Sequence, residues 1–185
     1  NYAAVAELAE FLRFSVVAKE KIEALDFASD RFGNLYSAPQ VRNSIGDEGA
    51  AQLATVLAVA GNLRELSLAG NDIGPRGLAA LLGALGRQCA LGKRPLEVLN
   101  VNGNSVGAEG ARLLAGALAA PGCPLRTLKV SENRLGAAGV RELARALRGN
   151  TVLRQLDVSW NVAAKADYAP AAEACEDGLE CAVQY

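Results

Sequence analysis

The chain contains no histidine and no methionine, few aromatic residues, no surplus charge of either sign and no long apolar run. Each shortage excludes something. Histidine is the commonest general base and metal ligand, so serine, cysteine and aspartate nucleophiles lack their usual partner here. With 19 basic and 20 acidic residues the formal net charge is −1, without the basic excess of a nucleic-acid binder. The longest apolar stretches, such as 50–61, fall far short of the roughly 20 residues of a membrane-spanning helix, and Gln52 and Thr55 interrupt that one. No G-x-x-x-x-G-K-[ST] phosphate loop is present, which removes the commonest nucleotide cradle. The missing Met, at position 1 as elsewhere, leads us to expect a processed form or a fragment, with room for a cleaved targeting sequence.

Four cysteines occur, at 89, 123, 175 and 181, with no Cys-x-x-Cys pair. Without histidine they do not complete a zinc site. Cys89 and Cys123 read as small buried apolar residues. Cys175 and Cys181 suit either a local disulfide or free thiols. No cofactor and no metal is expected.

What the chain does have is a repeat. Its 185 residues suit one domain, and 51% are apolar while only 5% are aromatic, so the core is built from Leu, Ala and Val. The pattern Leu-x-x-Leu-x-Leu-x-x-Asn recurs as LRELSLAGN (63–71), LEVLNVNGN (96–104), LRTLKVSEN (125–133) and LRQLDVSWN (153–161), with a weaker copy IEALDFASD at 22–30. A second pattern follows it: NSIGDEG (43–49), NDIGPRG (71–77), NSVGAEG (104–110) and NRLGAAG (133–139). Then come Leu53/Leu57, Leu81/Leu85, Leu114/Leu118 and Leu143/Leu147. That i, i+4 spacing marks one face of a helix, while the alternation in the first half marks a strand. Each unit is therefore a strand, a turn and a helix.

The copies start at 22, 63, 96, 125 and 153, so the basic unit is 28–29 residues and the longer gaps hold insertions near 28–42 and 86–95. A single unit cannot bury its own apolar faces, so stacking is required. The expected fold is α/β: a solenoid forming a horseshoe segment, parallel strands on the concave face and helices on the convex face. The asparagines satisfy backbone groups at the turn leaving each strand. The glycines at 46, 74, 107 and 136, and at 49, 77, 110 and 139, allow tight turning and close approach. Pro75 suits a first helical position, and Asp47, Glu48 and Glu109 suit the positive end of a helix dipole.

The segment AAPGCPLRTLKVSENRLGAAGVRELARAL at 119–147 resembles the ribonuclease-inhibitor-like class of leucine-rich repeat. The resemblance is good over 43–161 and loose over 3–42. That class includes ribonuclease inhibitor, the sensing arms of innate-immune receptors, Ran GTPase-activating proteins and many ciliary and algal proteins. The resemblance implies a protein partner, within a large complex or alone, and a non-enzymatic scaffold. Two alternatives accompany it: an accessory structural subunit of an organellar (chloroplast or mitochondrial) or ciliary assembly, and a Ran-type GTPase activator acting through Arg31 or Arg42. The default compartment is cytoplasmic, with an organelle as the alternative.

The ends depart from the pattern. Residues 1–21 read as the helix of a worn first unit, with Leu8 and Leu12 as its leucine pair. From Val162 the pattern stops, and 162–185 reads as an acidic cap or contact arm, with Asp167, Glu173, Glu176, Asp177 and Glu180 against Lys165. A cap is favoured because solenoid ends must be covered. Positions alternating with the leucines face the concave side: Glu65, Ser67 and Ala69; Val98, Asn100 and Asn102; Thr127, Lys129 and Ser131; Gln155, Asp157 and Ser159. Gly70, Gly103, Glu132 and Trp160 form a further column. Trp160 is either an exposed rim aromatic or covered by the tail, and Lys129 and Asp157 are placed to pair. The 28–42 insertion offers Arg31, Phe32 and Tyr36, with Leu35 and Pro39, either packed or presented.

Overall fold

The structure is a computed structural model that describes residues 23–28, 44–60, 62–92, 96–162, 164–174 and 179–182, with Ala3, Ala6, Glu7 and Glu10. The expected N-terminal helix, with Leu8 and Leu12, falls largely outside the described residues, and the 28–42 insertion almost wholly so. Six short strands make one parallel sheet in chain order: β1 (Ala24–Asp26), β2 (Glu65–Ser67), β3 (Val98–Asn100), β4 (Thr127–Lys129), β5 (Gln155–Asp157) and β6 (Glu180–Ala182). Helices α1 (Gly46–Val59), α2 (Pro75–Ala90), α3 (Gly107–Ala119) and α4 (Gly136–Leu147) follow β1 to β4. A 3-10 turn (Lys165–Tyr168) and a short α5 (Ala169–Ala174) separate β5 from β6.

The repeat register is the sheet register. Leu25, Leu66, Leu99, Leu128, Leu156 and Cys181 stand side by side. The four middle leucines are buried, as are Leu68, Val101, Val130 and Val158 two residues on. The helical leucine pairs meet them from the other side, with Ile45, Ile73, Val106 and Leu135 sealing the turns.

The asparagines join unit to unit. Asn104 is 2% exposed. Its Nδ2 donates to the carbonyls of Leu68 and Val101, while its Oδ1 accepts from the amides of Asn71 and Ile73 in the unit before. Asn161 does the same, accepting from Asn133 and Leu135 and donating to Val130 and Val158. At the C-terminal end a different group takes over. The Tyr168 hydroxyl, on a side chain 1% exposed, accepts from the amides of Asn161 (2.7 Å) and Val162 (3.2 Å). A phenol oxygen thus stands where a further asparagine carbonyl would.

The helices approach closely because the second glycine of each turn has no side chain. A Cβ on Gly77 would meet Asp47 and Ala50, one on Gly110 would meet Val106 of its own turn and lie 3.2 Å from Leu78 Cδ2 of α2, and one on Gly139 would lie 2.8 Å from Ala111 Cβ. The first glycine serves backbone shape: Gly46, Gly107 and Gly136 have φ of 63°, 65° and 67°. Gly74 is the exception at −97°, because the residue before a proline is held extended.

Asp47 lies in the first turn of α1, as expected, and also serves the next helix: its Oδ1 accepts from the amides of Gly74 (2.7 Å) and Gly77 (2.9 Å), capping α2, whose own N-cap glycine has no side chain. Two expectations are corrected. The pattern does not end at Val162, since β6 extends the sheet with Cys181 at a leucine position. Cys89 is half-buried, unlike the buried Cys123.

Gly110→Ala lowers the urea midpoint, while Gly116→Ala, in the same helix with open space around it, gains about 0.5–1 kcal/mol. Equal effects from the two would reject the close-approach account. Tyr168→Phe keeps the ring but strands two amides, at a cost of about 1–3 kcal/mol with an unchanged denaturant slope.

Candidate protein-interaction surface

The concave face is a set of columns held by parallel pairing. Glu65, Val98, Thr127, Gln155 and Glu180 form one, and Ser67, Asn100, Lys129, Asp157 and Ala182 the next. Much of this polarity is tied sideways. Thr127 donates to Gln155 and Gln155 to Glu180. Asn100 donates to Ser67, and Asn102 to Asp157 at 3.4 Å. The Oδ1 of Asn102 accepts from the Ser131 amide, and that of Asp157 from the Ser159 amide. Glu65 and Lys129 remain exposed.

The expected pairing of Lys129 with Asp157 is not formed among the described residues, although the two are in register. Asp157 instead turns to Asn102 and its own turn. Ser131 and Ser159, expected on the open face, are only 6% and 4% exposed, because the chain is already bending into the turn there. Arg31, Phe32, Tyr36 and Arg42 lie outside the described residues.

The turn edge beside this face differs between units. The column before each asparagine is left-handed throughout: Gly70 (φ 69°), Gly103 (64°), Glu132 (54°) and Trp160 (57°). Glycine adopts this backbone freely, whereas other residues lose roughly 1–2 kcal/mol. Arg134, one residue past Asn133, is left-handed too (57°). Trp160 is 54% exposed. Among the described residues the tail leaves it open, and the Tyr168 hydroxyl accepts from the amide of the next residue. Arg134, Gly136, Ala137, Trp160, Val162 and Asp167 line a shallow cleft of about 550 Å3. Sequence reasoning included Glu132 and Trp160 but missed Arg134. The signal available was the glycine at two equivalent places of the Glu132 column, which implies a left-handed turn.

A second row was also missed. Glu97 bridges Arg64 at 2.8 Å and Arg126 at 3.3 Å, across three units. These side chains are 31–57% exposed, so the contribution is small.

A separate apolar cavity of about 600 Å3 lies where the C-terminal ends of α2 and α3 meet, lined by Leu82, Leu85, Cys89, Ala117, Pro121 and Cys123 among others. Burial pushes both thiols up from their ordinary range, and the neighbouring Cys89 raises Cys123 further. Of the two tail cysteines, Cys181 is disulfide-bonded, and Cys175 lies outside the described residues.

The family model for leucine-rich repeats matches residues 62–82, 92–115 and 123–144. Those segments are leucine-rich repeats, and the sheet and helices around them form a leucine-rich repeat solenoid. The match is to the repeat and not to a subclass of it. No curated protein matches the chain. Among solved structures, the tropomodulin C-terminal domain of Caenorhabditis elegans is similar at a TM-score of 0.63 and 20% identity, over 94% of this chain and 92% of that one. Leiomodin-1 actin-binding site 2 is similar at 0.64 and 13%, over 94% and 86%. At these identities the likeness shows the fold. Among the described residues no helix is long and apolar enough to cross a membrane.

The raised thiols give a prediction. At pH 8 under non-reducing conditions an alkylating reagent modifies Cys89 more slowly than a free thiol, and Cys123 more slowly still, because both remain protonated where an ordinary thiol begins to ionise. Faster labelling of Cys123 than Cys89 would contradict the burial order.

Proposed function

We propose that the chain is a non-enzymatic protein-interaction module whose concave strands and adjoining turn edge hold a protein partner. One observation carries this reading. The in-register columns from Glu65 to Asp157 make an open surface of mixed charge, bordered by an exposed tryptophan. Such a surface suits a macromolecule, since small ligands need concave pockets that bury most of them. Tryptophan is among the residue types that dominate interface energy. The leiomodin-1 neighbour is described as an actin-binding site, which makes monomeric actin a sensible first probe. A scaffold within a larger assembly is the same chemistry with a longer residence time. The GTPase-activator alternative relied on Arg31 and Arg42, and no observation favours it.

The test is cross-linking in an extract of the source cells with three forms: parent, Lys129→Glu/Asp157→Lys on the concave face, and Arg112→Glu on the exposed face of α3. The expected result is a cross-linked protein lost only in the concave form. Loss only in the Arg112 form would move the site to the helices. Migration of the chain alone under native conditions would reject a permanent subunit.

A further inference from the structure

We propose that the turns around Glu132, Arg134 and Trp160 seat a partner polypeptide offering one carboxylate to Arg134 and one large apolar side chain to Trp160. This rests on the protein-binding reading above and narrows it to one edge and one partner chemistry.

The backbone of these turns holds strain that no internal side-chain bond offsets. Four non-glycine residues among those described are left-handed: Asp72, Glu132, Arg134 and Trp160. Asp72 belongs to a residue type that tolerates this backbone, and its carboxylate accepts a hydrogen bond from Ser44. Glu132, Arg134 and Trp160 are not of that type. Among the described residues their side chains form no hydrogen bond and no ion pair. All three fall in the adjacent turns after β4 and β5, while the earlier units place Gly70 and Gly103 in the same column. Strained positions that persist without a local partner point to a role outside the chain.

The cleft also leaves one charge over. Asp167, in the cleft with Trp160, is held by Arg141 at 3.6 Å. Arg134 is therefore the uncommitted charge in that cleft. A guanidinium beside an aromatic ring receives a carboxylate with two parallel hydrogen bonds while the ring takes an apolar neighbour. Glu132, two residues before Arg134 on the same turn, disfavours a run of acids. The chemistry selected is a single Asp, Glu or chain-terminal carboxylate next to an aromatic or branched aliphatic residue.

Trp160 is the one tryptophan of the chain, so its fluorescence reports on this site alone. The probe is a random dodecapeptide phage library panned on the intact chain, with an unrelated repeat protein as control, followed by synthesis of the enriched peptides. The expected peptides pair a carboxylate with an apolar residue and shift the Trp160 emission. By calorimetry they lose about tenfold or more in affinity to Arg134→Ala and to Trp160→Gly. In parallel, Glu132→Gly raises the Tm by roughly 2–4 °C as strain is relieved, and Trp160→Gly has a Tm no lower than the parent. Peptides that bind both edge variants as well as the parent would overturn this site and leave the protein-binding reading standing. Basic peptides, or no enrichment over the control, would overturn it as well. So would a Tm that falls on Glu132→Gly, since the residue would then be structural.

Discussion

The asparagine ladder is the constraint on which the rest of this fold depends. A parallel solenoid turns its chain back at every unit, so backbone amides and carbonyls come to lie inside the core, away from water. An unpaired buried group costs about 1–3 kcal/mol, and each turn contains several. One short amide side chain per unit resolves this by donating inward and accepting from the unit before. Asn104 alone serves the Asn71 and Ile73 amides and the Leu68 and Val101 carbonyls. Since every asparagine completes a neighbour, no unit is finished by itself. Stability is shared along the stack, and each end needs a substitute. Tyr168 supplies it at one end. Toward the other, among the described residues the Oδ1 of Asn71 is buried without a hydrogen-bond partner, although its Nδ2 reaches the carbonyls of Phe27 and Ala69.

The features legible in the sequence are those one local rule imposes repeatedly. Leucines at strand and helix spacing, asparagine at the turn and glycine before the helix each recur because each unit meets the same demand. The strand register followed from those strings. The features that escaped are those in which two units cooperate or a unit is degraded. Asp47 lies in the first turn of α1 and caps α2. Nothing along the chain connects it to Gly74; only the close approach allowed by Gly77 does. β6 escaped because its leucine positions carry Cys181 and it follows a short α5 instead of a full helix. The concave columns were legible as positions and not as chemistry, since sideways bonds such as Gln155 to Glu180 depend on rotamers that a pattern does not encode. Arg134 is a case apart. Its turn was visible, but its backbone sign was not, because the equivalent positions hold Asp72, Ser105 and Val162, which share no tell-tale glycine.

Where the ladder dictates a residue, function has little room. Asn71, Asn104, Asn133 and Asn161, the sealing apolar residues and the close-approach glycines are each bound to a neighbour's geometry. Changes there spread to the next unit. The residues just outside the ladder answer only to their own backbone. In the earlier units that backbone is met cheaply, by Gly70 and Gly103. In the later two it is met by glutamate and tryptophan, at a cost in strain and, among the described residues, with no side-chain hydrogen bond or ion pair to offset it. The two halves of the solenoid thus have the same core and different edges. A stack of interchangeable units becomes polar along its length through substitutions that leave its hydrogen-bond ladder untouched. A partner that recognises the chain through Glu132, Arg134 and Trp160 would approach the end nearest the Tyr168 closure. Distortion on binding would then be borne by that terminal closure and not by the interior turns.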